Sequence, residues 1–224
     1  MELTARGAAQ KPSLEKMAYQ AIRAKIVAAE LLPGMLLSEN ELAASLGMSR
    51  TPIRAAISLL ETEGFLESVR GRGVFVKEIS FREFREMFEM LVSLQLFVLD
   101  VAAARGLAFD LPALRAQLER QAAAAESRDN AAYYESSLAF VGTLVASCGN
   151  QSMLQLLETI RGKYVFKMLS FRKMNARSLP KPTHARGANA RIYAALEKGD
   201  LAEARQAVLD LNQFVYDQFS VFDI

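Results

Sequence analysis

Apolar residues recur at helical spacing along the first third of the chain. Leu14, Ala18, Ile22, Ile26 and Ala29 predict a helix that begins at Ser13 and stops near Pro33-Gly34. "SENELAASLG" follows, with Ser38 and Glu41 in capping-box relation, Leu42 and Leu46 one turn apart, and Gly47 as a stop. In "MSRTPIRAAISLLETEGF", Ile53, Ile57 and Leu60 fall at i, i+4 and i+7 and define a buried stripe. Thr51, Arg54, Ala55 and Ser58 occupy the opposite face, which is basic, small and hydroxylated at its N-terminal end. Ser49 or Thr51 supplies a cap, and Pro52 is tolerated in the first turn because its missing N–H has no partner there. Two short helices joined by a tight turn with glycine make a helix-turn-helix. Beyond Gly64 the periodicity changes: "FLESV" and "GVFVK" are β-prone runs on either side of "RGRG", a hairpin whose charges are Arg70, Arg72 and Lys77. Helix, helix-turn-helix and basic hairpin together predict a winged helix.

From about Phe81 onward no strand pattern occurs. Helices are expected over "FREFREMFEMLVSLQLFVLDVAAARG", "LPALRAQLERQAAAAES", "NAAYYESSLAFVGTLVASCGN" and "QSMLQLLETIRGKYVFKMLSFRKM", the last with Gly162 as a candidate break. After the loop "NARSLPKPTHARG" come "ANARIYAALEKG" and "DLAEARQAVLDLNQFVYDQFSVF". The fold class is therefore mainly α: an N-terminal winged helix-turn-helix plus a C-terminal all-α antiparallel bundle with a central space. The expected organisation is an arm over 1–12, a winged helix over 13–78, a linker over 79–83 and a helical domain over 84–224.

Composition narrows the function classes. A net charge of +2 is too small to argue nucleic-acid binding by itself, so any basic surface must be local. One cysteine, Cys148, excludes an intramolecular disulfide framework and suits a reducing cytoplasm. The N-terminus has no apolar run of the signal-peptide kind, and no later segment is apolar and uncharged for long enough to span a bilayer. An enzyme would need Cys148 as nucleophile with His184 as base. Cys148 reads instead as a small buried thiol at a helix end, and His184 as a surface residue of the Pro-rich loop. No glycine-rich phosphate loop, serine elbow or metal cluster is present, so catalysis is not expected.

The stretch "IRAKIVAAELLPGMLLSENELAASLGMSRTPIRAAISLLETEGFLESVRGRGVFV" resembles, without a gap, the DNA-binding domain of the GntR family of bacterial transcription regulators. "FEMLVSLQLFVLDVAA", "CGNQSML" and "YAALEKGDLAEA" resemble the FadR branch, whose effector domain is called FCD. The resemblance implies that Arg50 and Thr51 contact DNA at the start of the recognition helix, and that Arg54 reads guanine. It also places Arg70 and Gly71 at the wing tip that enters the minor groove, with Ser49 and Arg72 completing the DNA-facing set. Asn40 belongs to the same DNA-binding candidates and sits where FadR carries an arginine, which removes one expected basic contact.

In metal-binding members of this branch one aspartate and three histidines hold a divalent ion. The aligned positions here are Ser137, Val141, Asn189 and about Leu211, so the resemblance implies no metal site of that kind and no cofactor. Leu91 and Gln95 likewise replace an arginine and a glutamate. Between Glu158 and Glu197 there is no acid, whereas Arg161, Lys163, Lys167, Arg172, Lys173, Arg177, Lys181, Arg186 and Arg191 recur. Such a run either presents cations to an anionic effector, a carboxylate or an acyl-coenzyme A, or is a solvated face. Tyr134, Ser137, Arg161, Tyr164, Asn189 and Tyr193 are the candidate ligand-binding groups. The expected partners are double-stranded operator DNA, a small effector and a second copy of the chain, with no membrane. The residues leave open a ligand-independent DNA-binding protein with a vestigial pocket.

Overall fold

The computed structural model describes residues 12–175 and 184–219. The expected arm, save its last residue, lies outside the described residues, as do Arg177 and Lys181. The described chain divides into two compact units, one of residues up to 26 and 30–78, the other of 27–29 and 79 onward.

The first unit contains α1 (Leu14–Val27), β1 (Leu36–Leu37), α2 (Glu39–Leu46), α3 (Arg50–Thr62), β2 (Leu66–Val69) and β3 (Gly73–Val76). The predicted stripes are its core: Ala18, Ile22 and Ile26 of α1 and Ile53, Ile57 and Leu60 of α3 are buried, together with Phe65, Leu66 and Val76. Each large aliphatic side chain buried there contributes about 1.5–3 kcal/mol. Tyr19 Oη donates to Glu63 Oε1 at 2.6 Å, which ties α1 to the residue that closes α3.

Gly47 closes α2 at φ +62°, a left-handed conformation that glycine adopts without strain, and Met48 N–H donates to Ala43 O at 3.0 Å. Ser38 caps α2 by accepting from Glu41 N–H. Ser49 holds the N-cap position of α3 with extended backbone, but its side chain makes no capping bond, which corrects that expectation. Its extended backbone is enough to start the helix, and Pro52 in the first turn removes one donor that a cap would otherwise serve.

The wing is a three-stranded antiparallel sheet in the order β1-β3-β2, with Leu66 opposite Val76 and Leu36 opposite Phe75. The sequence pattern shows the β2–β3 hairpin but not β1, whose two residues are too few to set up an alternation.

The second unit is all helical among the described residues: α4 (Phe81–Arg105), α5 (Leu111–Ser127), α6 (Asn130–Ala146), α7 (Gln151–Met174), α8 (His184–Glu197) and α9 (Leu201–Phe219). Ser80 opens α4 through a reciprocal capping box with Glu83, so this helix starts inside the stretch read as a linker. Asp110, Asp129 and Asn150 cap α5, α6 and α7. α7 runs unbroken through Gly162. A glycine there costs about 1 kcal/mol relative to alanine, and burial of Ile160, Val165 and Phe166 around it outweighs that. α8 begins at His184, so this histidine is the first residue of a helix and not a loop residue.

α5 packs on α6 and α8, α4 on α6, α7 and α9, and α8 on α9. Phe84, Phe88 and Val98 of α4, Leu114 of α5, Phe140 and Leu144 of α6, Phe166 of α7 and Ile192 of α8 fill the centre. By length and composition alone α4 could cross a membrane, its most apolar 18-residue stretch having a mean hydropathy of 1.7, although charged residues interrupt it. Half of its apolar window is buried within the protein, as a core helix requires.

Candidate nucleic-acid interface and a buried polar cluster

α3 presents Thr51, Arg54 and Ser58 exposed and Ala55 half-buried, opposite its buried Ile53–Ile57–Leu60 stripe. The Arg54 side chain is 62% exposed. It donates through Nε to Glu39 Oε2 at 2.8 Å, and its two Nη groups make no hydrogen bond among the described residues. Arg50 donates to the same oxygen from Nε at 3.2 Å and Nη2 at 2.7 Å. Ser49 is exposed beside them, and Asn40 is exposed on α2. The wing tip carries Arg70, Gly71 and Arg72, all exposed, with Arg72 N–H closing the turn onto Val69 O at 2.9 Å. Gly71 lies at φ +74°, a backbone conformation that costs an L-residue strain. Neither wing arginine makes an ion pair among the described residues. The unit thus offers an exposed helix with a free guanidinium fork and a two-arginine loop. A helix of this size fits a major groove, and such a fork fits the O6 and N7 acceptors of guanine.

In the helical unit a polar cluster lies among apolar residues. Asn189 of α8 donates through Nδ2 to Gln121 Oε1 of α5 at 3.2 Å and to Ser137 Oγ of α6 at 3.4 Å. Gln121 is 0% exposed, yet its Nε2 has no hydrogen-bond partner, and neither has the buried Tyr134 Oη. Tyr133 stands edge-on to Tyr134 with ring centroids 5.4 Å apart, and its Oη accepts from Arg186 N–H at 3.1 Å. Burial pushes the Tyr134 phenol up to about 12, with the Arg172 guanidinium pulling against it. Burial likewise raises Tyr133 and Tyr164, the latter packed against Phe84 at 5.1 Å. All three phenols are therefore neutral at physiological pH.

Two expected ligand groups are engaged elsewhere. Arg161 donates to Glu135 Oε2 at 2.8 and 2.6 Å and to Glu158 Oε1 at 3.2 Å. Tyr193 Oη accepts from Arg115 Nε at 2.8 Å and donates to Glu197 Oε1 at 2.7 Å. The basic stretch after Glu158 is similarly occupied: Arg191 pairs with Glu203 and Asp210, and Lys167 sits 4.1 Å from the Phe81 ring centroid. Acids from α6 and α9 serve Arg161 and Arg191, which a count along the sequence does not reveal.

The residues at the aligned metal positions do not fit a divalent ion. Ser137 and Asn189 come together but are neutral, while Val141 and Leu211 offer no donor atom. Among the described residues no three His, Cys, Asp or Glu side chains converge. Sequence reading missed Gln121 and Glu39. The first had a signal, since it falls seven residues after Leu114 and three before Ala124, on the buried stripe of α5.

The profile described as "Bacterial regulatory proteins, gntR family" matches residues 14–76, and that of the FCD domain matches residues 86–213. An uncharacterized HTH-type transcriptional regulator of Agrobacterium vitis is 32% identical over 136 residues, 58% of this chain and 77% of that protein. One of Streptomyces ambofaciens is 46% identical over 61 residues, 27% of this chain and 26% of its own length, so the match there spans about a quarter of the relative. A crystal structure of a putative GntR transcriptional regulator from Rhodococcus sp. RHA1 has the same fold, with a TM-score of 0.78 at 18% identity over 93% of this chain and 98% of that one. Profile matches on both units, in this order, place the chain in the gntR family of bacterial transcription regulators, with an FCD domain as its second half.

Proposed function

We propose that this protein binds operator DNA as a symmetric dimer through the winged helix (13–78), and that a small anion received by the helical domain (84–224) modulates the binding. The exposed Arg54 fork on the open face of α3 is the observation that carries the DNA half. Arg54 reads a guanine edge, Arg50, Thr51 and Ser49 hold the backbone, and the Arg70–Gly71–Arg72 tip follows the minor groove. Two half-sites about one DNA turn apart suit a two-fold dimer. The protein acts where the chromosome is, in the cytoplasm.

The buried donors Gln121 Nε2 and Tyr134 Oη support the effector half. Leaving such a group without a partner costs about 1–3 kcal/mol, which a ligand carrying acceptor oxygens recovers. Ser137 and Asn189 extend the donor set, and Arg172 supplies the adjacent positive charge. A carboxylate answers all of these features. The test is selection of duplexes from a random library, followed by titration of the selected duplex with and without a panel of small carboxylates. A compound that raises the melting temperature and shifts operator affinity supports the reading. A panel that does neither favours ligand-independent DNA binding.

A further inference from the structure

One carboxylate organises both arginines at the start of α3. Glu39 is the first residue of α2, where the helix dipole favours an anion. Its Oε2 takes Arg50 through Nε and Nη2 and Arg54 through Nε alone. The Glu39 side chain is 25% exposed, against 54% for Arg50 and 62% for Arg54, so the acid stands behind and the guanidinium groups in front. Hydrogen bonds from Arg50 and then Arg54 hold its carboxyl below the usual range, which keeps it ionised at neutral pH.

These bonds divide the two arginines. Arg50 commits its Nε–Nη2 edge to Glu39 and keeps one Nη for a single contact. Arg54 commits only Nε and keeps the Nη pair, the edge that meets guanine O6 and N7 end-on. Fixing Nε before binding removes rotamer freedom that the encounter would otherwise have to remove. The same carboxylate cancels one of two cations on a face that meets phosphate, and indiscriminate binding is almost wholly electrostatic.

We propose that Glu39 is a positioning residue that sets sequence discrimination: it holds the Arg54 fork ready for a base edge and restrains the attraction of the Arg50–Arg54 pair to DNA of any sequence. This rests on the operator reading above. The experiment uses the full chain, a duplex selected by the wild type and a random-sequence duplex, with affinities measured by fluorescence anisotropy at several salt concentrations. Glu39→Gln should bind the random duplex more tightly and the selected duplex no better, so that their ratio falls about tenfold. In an Arg54→Ala background Glu39→Gln should leave the ratio unchanged, and Glu39→Asp should keep the random-duplex affinity near that of the wild type. A Glu39→Gln ratio equal to that of the wild type, or a proportional fall in both affinities, would overturn the proposal and leave a purely structural residue. A wild type that selects no duplex would instead remove the operator reading, and the role of Glu39 with it.

Discussion

Asn189 and Gln121, 68 residues apart in the chain, share a hydrogen bond in the interior of the helical unit, Nδ2 to Oε1 at 3.2 Å. It joins α8 to α5 and leaves the Gln121 amide nitrogen as a donor in reserve. Asn189→Ala should strand the Gln121 carbonyl as well. Urea unfolding should show a loss of about 1–3 kcal/mol, the cost of one unsatisfied buried group. An unchanged midpoint would mean that the pair is not held in solution.

Tyr134→Phe should behave differently. The Tyr134 hydroxyl is buried without a hydrogen bond, so its removal should leave the melting temperature unchanged or slightly higher while weakening any stabilisation by carboxylates. A marked loss of stability without ligand would contradict this.

The raised phenols also fix the alkaline behaviour. With the folded Tyr134 near 12 and an unfolded tyrosine near 10, the native state binds more protons between these values. Stability should hold below about pH 10 and decline as pH rises toward 12. Part of that slope should vanish in Tyr134→Phe, as read by denaturant titration at stepped pH.

Arg54→Ala and Arg72→Ala should separate reading from holding. The first should lower affinity for a selected duplex and relax preference at one base pair per half-site, by about 1–3 kcal/mol. The second should weaken matched and mismatched duplexes alike and flatten the slope of log affinity against log salt by roughly one unit. The same profile for both variants would refute the division of labour.

Gly47→Ala tests the turn between α2 and α3. A Cβ there meets nothing within 4 Å, so its cost comes from the backbone alone at φ +62°. About 1–2 kcal/mol of destabilisation follows from the left-handed conformation. Thermal melting and operator affinity should fall together.

Much of the architecture was legible in the chain because local signals agreed with the final packing. Ser38 and Gly47 bound α2, the Ile53–Ile57–Leu60 stripe faces the core, and the helical segments from Phe81 onward lie close to their expected places. β1 was not legible, since Leu36 and Leu37 become a strand only by pairing with β3. Nor were the partners of the basic run, because Glu135 and Asp210 reach Arg161 and Arg191 from other helices. Gln121 was readable by period but looked polar in an alanine-rich segment. Glu39 had no signal of its own, as its role depends on how α2 meets α3 across the turn.

The protonation of the buried phenols bears on what kind of signal the helical domain could transmit. Its donors are amides, a serine hydroxyl and tyrosines that do not ionise anywhere near the pH of a living cell. Acid stress or an alkaline shift therefore leaves their donor capacity as it was. Under the proposed reading, an output governed by this cluster would follow the concentration of its ligand and stay deaf to the proton.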